Sequence, residues 1–169
     1  PDGVATSPSL AGIVDVAAGA AHNLALRSDG TVAAWGSNAD GQISVPAGLA
    51  GVVALAPKYN HNLALKSDGT VVAWGASNWG QTTVPAGLAG VVAVAAGLGQ
   101  SVALKGDGTV IGWGDSAWDQ IAFPDGLRNV TGIGAAARIS TVLRRTTGDA
   151  VPTITSPPAS VAVLLGGTA

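Results

Sequence analysis

A Trp-Gly pair recurs at Trp35-Gly36, Trp74-Gly75 and Trp113-Gly114, and an Asp-Gly pair at Asp29-Gly30, Asp68-Gly69 and Asp107-Gly108, each series stepping by 39 residues without an insertion. A fixed period of this length means that one supersecondary unit is copied, and that neighbouring copies bury a core which no single unit could bury alone. The period also aligns the chain with itself. Residues that recur belong to the scaffold, and residues that differ between copies are candidates for recognition.

The unit Gly51 to Ala89 contains four runs of strand length, Val52 to Ala56 (A), Asn62 to Lys66 (B), Thr70 to Trp74 (C) and Thr82 to Val84 (D). Each is rich in aliphatic, β-branched or aromatic residues and is bounded by turn formers. Asp68-Gly69 between B and C predicts a tight hairpin with a type I′ turn, in which both central residues take positive φ. The A–B connection (Ala56 to His61) and the C–D connection (Gly75 to Gln81) then lie at the end of the sheet opposite that turn. Pro85 ends strand pairing after D because it has no N–H to give. Four antiparallel strands per period of about 40 residues is the pattern of a β-propeller blade, so the fold class is all-β.

The unit resembles the regulator of chromosome condensation repeat in its compact bacterial form. The resemblance rests on Val92 to Gly97, His61 to Lys66, Asp68 to Val71, Ala73-Trp74-Gly75, Gly80-Gln81 and Val84-Pro85, and it runs from about Gly12 to Arg144. Within that family the unit is similar to the secreted bacterial β-lactamase inhibitory proteins built of the same repeat. The resemblance implies a seven-bladed ring, of which residues 1–148 supply about three and a half blades: repeats at about 12–50, 51–89 and 90–128, and an incomplete one at 129–148. In the last, Val130 to Gly134 and Ile139 to Arg144 keep strands A and B, but Thr146-Thr147 replaces the Asp-Gly turn and Pro152 stands where Trp is due. Pro1-Asp2-Gly3 echoes Pro124-Asp125-Gly126, the end of a unit. Seven units exceed the 169 residues here, so the ring is expected to be completed by further repeats of a longer chain or by a homo-oligomer. Residues 149–169 resemble a Pro-rich linker and the first strand of a bacterial immunoglobulin-like domain, which implies a secreted or surface-attached parent and an extracellular or cell-surface location.

With 47% hydrophobic residues and 11% charged, the chain has ample material for a core. Its net charge of −2 gives no electrostatic drive toward nucleic acid, so none is expected as a partner. No apolar run reaches the roughly 18 residues of a membrane-spanning helix, and membrane insertion is not expected. There is no cysteine, which removes disulfides and thiolate chemistry.

Trp35, Trp74 and Trp113 recur and are assigned to the packing between blades. The Gln of Gly41-Gln42 and Gly80-Gln81, and Gln120 after Asp119, are expected to satisfy the backbone of a loop. His22 and His61 share one position, held by Gln100 in the third copy, and a hydrogen-bonding role fits them better than metal binding, for which no third ligand is at hand. No nucleophile, paired-carboxylate or phosphate-loop motif is present, so neither an enzyme, a cofactor nor a metal is expected.

What varies is the pair of loops at one end of each unit. Lys58, Tyr59 and Asn60 occupy an A–B loop, and Asn78, Trp79, Asp115 and Trp118 the C–D loops. Aromatic side chains with polar neighbours on loops of a rigid scaffold are the composition of an interaction hot spot. These seven residues form the candidate partner-binding site of a non-catalytic binding module. The partner is expected to be a protein, for which the family resemblance offers an extracellular enzyme, or a glycan. Guanine nucleotide exchange, implied by eukaryotic members, and an architectural spacer role in an adhesin are the alternatives.

Overall fold

The computed structural model of the protein describes residues 11–145 and the backbone of 161–166. Pro1 to Gly3 and the linker at 149–160 lie outside the described residues. Three antiparallel sheets follow one another along the chain: β1 (Ile13–Ala18), β2 (His22–Arg27) and β3 (Val32–Gly36); β4 (Val52–Lys58), β5 (His61–Lys66) and β6 (Val71–Gly75); β7 (Val91–Ala96), β8 (Gln100–Lys105) and β9 (Val110–Gly114). A fourth sheet holds β10 (Val130–Ala136), β11 (Ile139–Arg145) and β12 (Val161–Gly166), with β12 parallel to β11. The strand read in the C-terminal segment therefore lies where the other blades carry their antiparallel third strand.

Run D forms no strand in the three units where it lies among the described residues, and the described blades are three-stranded rather than four-stranded. Its backbone groups are spent locally: Thr83 N–H bonds the Gly80 carbonyl, Val84 N–H the Thr82 carbonyl and Leu88 N–H the Pro85 carbonyl. With those bonds made, and with no donor at Pro85, the segment cannot form a ladder. It crosses to the next blade as a folded tail.

The hairpin between B and C forms, but its turn is not type I′. Gly69 N–H bonds the Lys66 carbonyl, only Gly69 has positive φ (76°), and Lys66 N–H closes the loop on the Thr70 carbonyl. The Asp68 carboxylate accepts the Thr70 N–H (3.0 Å) and hydroxyl (2.6 Å), a local side-chain turn that Asp makes with ordinary φ. The left-handed conformation is left to glycine alone. Asp29 and Asp107 repeat the bond to the N–H of Thr31 and Thr109.

The tails close the seams between blades. Val45 and Leu49 pack with Leu24 and Leu26 of the first blade and Val52 and Trp74 of the second. Val84 and Leu88 do the same between the second and third, and Phe123 and Leu127 between the third and fourth. Trp74 and Trp113 lie in these seams, each 6% exposed. Trp74 Nε1–H donates to the Gln42 carbonyl (3.0 Å) and Trp113 Nε1–H to the Gln81 carbonyl (2.8 Å), so each indole binds the tail of the preceding blade. The glycine after each Trp is required by contact as well as by φ. Gly75 has φ 100°, and a Cβ there would collide with the Asn60 carbonyl.

A buried polar relay runs through the first two seams. His22 Nε2–H donates to Asn62 Oδ1 (2.6 Å), and Asn62 Nδ2–H donates to the Gln42 carbonyl (2.8 Å). One repeat on, His61 Nε2–H donates to Ser101 Oγ (3.2 Å), whose hydroxyl donates to the Gln81 carbonyl (2.8 Å). The two histidines are bound as hydrogen-bonding groups, and no cluster of metal-ligating side chains occurs among the described residues.

Candidate functional site

The A–B and C–D loops meet at one end of each blade because the backbone joins them. Ala76 N–H bonds the Asn60 carbonyl (2.8 Å), and Asp115 N–H bonds the Gly99 carbonyl (2.8 Å). The A–B loop is shorter than the sequence indicates, since β4 continues to Lys58 and β5 begins at His61, leaving Tyr59-Asn60 as a two-residue turn. Tyr59 stands at φ 47°, in the left-handed region that a bulky residue enters only under constraint. The constraint is visible: its carbonyl accepts Ala20 N–H from the neighbouring blade (2.9 Å). Ala137, at the same position of the fourth blade, has φ 42° and accepts Leu98 N–H.

The C–D loop is held from beneath by a buried Gln. Gln81 is 1% exposed, and its Oε1 accepts Trp79 N–H (2.9 Å). Gln120 Oε1 takes Trp118 N–H (2.8 Å), and Gln42 Oε1 takes Asp40 N–H (2.7 Å). Gln42 and Gln81 thus each fix their own loop through the side chain and the next blade through the carbonyl. The residue presented is Asp40 in the first copy and Trp, at Trp79 and Trp118, in the next two.

Those presented residues reach across to the following A–B turn. Asn60 Nδ2–H donates to the Asp40 carboxylate (2.7 Å). Trp79 lies on Gly99, where an added Cβ would come within 2.7 Å of the indole and 3.2 Å of Asp115 Cβ. The Arg138 guanidinium sits 5.3 Å from the Trp118 ring centroid, in cation–π geometry. Three inter-blade pairs with one offset therefore line the loop end of the array: Asp40 with Asn60, Trp79 with Gly99, and Trp118 with Arg138.

Of the seven residues chosen from sequence, Tyr59 (41%), Trp79 (51%) and Trp118 (55%) are exposed despite their apolar bulk, and Asn78 is exposed beside Trp79. Asp115 is brought next to Trp79 through Gly99, with its Oδ1 accepting Ala117 N–H (2.9 Å). Lys58 ends β4 half-buried, and Asn60 is engaged with Asp40 rather than with Trp79. Trp118 stands one blade further along with Arg138. Asp40, Gly99 and Arg138 were missed as members of the site.

The family model of the regulator of chromosome condensation (RCC1) repeat matches residues 13–42 and 52–81. Among solved structures, the chain is similar to yeast RCC1 (Prp20) in its complex with Kap60, at 22% identity over 78% of this chain and 41% of that one, with a TM-score of 0.66. It is similar also to Prp20p from Saccharomyces cerevisiae, described with its binding properties to Gsp1p and histones, at 24% identity over the same shares and a TM-score of 0.65. Human WBSCR16 matches at 28% identity over 60% of this chain and 33% of that chain, with a TM-score of 0.54. The architecture is that of an RCC1-type β-propeller, and the chain spans about two-fifths of the length of the yeast structures.

Proposed function

We propose that this chain is a protein-binding propeller module without catalytic activity of its own, and that it grips its partner through the loop end carrying Tyr59, Trp79 and Trp118. The observation that carries the reading is the exposure of two indoles, each seated on the next blade and tied at its backbone N–H to a buried Gln. Large aromatic side chains held in place before binding lose little freedom on association, which is why they dominate interface energetics. The similarity to yeast structures whose descriptions name Kap60, Gsp1p and histones supports protein as the partner class. The C-terminal resemblance noted in the sequence supports a secreted or surface-attached bacterial context, with an extracellular enzyme as one partner.

Glycan binding is the second reading, favoured by the closeness of Asp115 and the exposed Trp79 at Gly99, since an aromatic ring with a nearby acid suits a sugar. Capture from culture supernatant and from cell lysate by the immobilised protein, run beside a glycan array, separates the two. The expected result is a protein captured by the native chain and not by the Trp79→Ala/Trp118→Ala variant, with an unchanged melting temperature. Equal capture by the variant would overturn the assignment of the face, and array signals without protein capture would replace protein by glycan.

A further inference from the structure

Five Asp-Gly pairs lie among the described residues, and four of them are held at both the carboxylate and the glycine nitrogen. The Asp29 and Asp68 carboxylates accept the N–H and hydroxyl of Thr31 and Thr70, Asp107 accepts the Thr109 N–H, and Asp40 accepts Asn60 Nδ2–H. The nitrogens of Gly30, Gly69 and Gly108 donate to the Arg27, Lys66 and Lys105 carbonyls at 2.9, 3.0 and 2.9 Å, and that of Gly41 to the Asn38 carbonyl at 3.2 Å. Three of these glycines also lie against the next blade. A Cβ on Gly30, Gly69 or Gly108 would come within 3.0, 3.2 or 3.4 Å of the backbone at Gly51, Gly90 or Asn129.

Asp125-Gly126 has none of these restraints. Both residues are exposed in the tail that leaves the third blade, and among the described residues no hydrogen bond holds the Asp125 carboxylate or the Gly126 N–H. A Cβ on Gly126 would meet nothing within 4 Å, so no neighbouring group screens the glycine nitrogen from the side chain before it. The tails of the first and second blades carry Ala47 and Ala86 at the position of Asp125, and only the third places a carboxyl before that glycine.

We propose that Asp125 is a site of spontaneous backbone modification, at which ageing converts the residue to isoaspartate and loosens the seam between the third and fourth blades. The Gly126 nitrogen gives up its proton and attacks Asp125 Cγ. An N–C bond forms, a carboxyl C–O bond breaks, and one water leaves, giving a five-membered succinimide. Water then adds at the former backbone carbonyl carbon and breaks its bond to the Gly126 nitrogen, so the chain runs on through Cγ with its composition unchanged. In the other four pairs the same attack must first break the bonds on the nitrogen and the carboxylate. The isomer has one more backbone atom between Phe123 and Leu127. Both of those side chains pack in the seam with Leu104, Val130 and Val142, and the Leu127 N–H closes the turn on the Pro124 carbonyl (3.2 Å).

The test is ageing of the full chain at physiological pH and temperature, beside the same chain unfolded in guanidinium chloride, with peptide mapping that separates aspartyl from isoaspartyl peptides. In the folded chain isoaspartate is expected to form at Asp125 at least about tenfold faster than at Asp29, Asp40, Asp68 and Asp107, and the five rates converge in the unfolded chain. The aged chain should melt at least about 2 °C below the fresh one, whereas Asp125→Ala, which takes the residue of the other two tails, should age without that loss. Rates within about threefold of one another in the folded chain overturn the proposal, as does a preference for Asp125 that persists in guanidinium, since the fold would not be its source. An unchanged melting temperature after conversion, or an equal loss in Asp125→Ala, overturns the effect on the seam.

Discussion

His61 shows how a repeat position can be both scaffold and liability. Burial, and then the charge of His22, hold its pKa down to about 4, and its Nδ1 is buried with no partner to receive a proton. Because the folded value lies below the ordinary 6.5, the folded state binds fewer protons than the unfolded one. The resulting stability is full above about pH 6.5 and is lost as pH falls toward 4, amounting to about 3 kcal/mol at most. Gln100 fills the same position in the third blade, so His61→Gln should fold and should flatten the decline in melting temperature between pH 6.5 and 4.5, which a pH series of thermal melts would reveal. The hairpin carboxylates act lower: Thr70 first, and then Lys66, hold Asp68 well below the usual range, so its contribution survives until the pH drops beneath that of an ordinary Asp. The indoles offer a second test at this scale. Trp74→Phe removes the bond to the Gln42 carbonyl and should cost about 1–3 kcal/mol in denaturant unfolding, while Trp35→Phe, lacking that carbonyl among the described residues, should cost less than half as much.

At the scale of the element, the C–D loop is rigid because Gln81 and Gly99 act on it from two blades. Gly99→Ala would place a methyl group where the Trp79 ring now lies, and an exposed indole can swing away at little cost to the fold. The expected outcome is a shift in tryptophan emission and weaker partner capture with a melting temperature within about 2 °C of the native chain; unchanged emission would show that Trp79 does not rest on Gly99. The strands and hairpins were legible in the sequence because Asp-Gly, Trp-Gly and the apolar runs are local signals. Run D was misread because Thr82, Thr83 and Val84 have strand-like composition, while the bonds that fold the segment depend on Gly80 and Pro85 around it. The exposed aromatics were found by subtracting what recurs. Their seats on Gly99 and Arg138 were not, because a contact between one unit and the next leaves no mark within either unit.

Across the whole molecule, the seams carry the order. The second and third blades donate their indoles to a carbonyl of the previous tail, their strands A begin on the preceding B–C turn through Val52 N–H to Gly30 and Val91 N–H to Gly69, and the loop ends are tied by Tyr59 to Ala20. Such an array keeps its loop-end residues in register while leaving their identity free, since Asp40, Trp79 and Trp118 each donate a backbone N–H to a buried Gln. In the proposed function the scaffold presents the aromatics Trp79 and Trp118 to a protein partner. It is tested most directly by measuring the affinity of the captured partner for the native chain and for Trp79→Ala/Trp118→Ala, with folding verified by thermal melts. Loss of at least about a hundredfold in affinity at an unchanged melting temperature is predicted. Affinity within a factor of about three of the native value would contradict the account and place the binding surface elsewhere on the propeller.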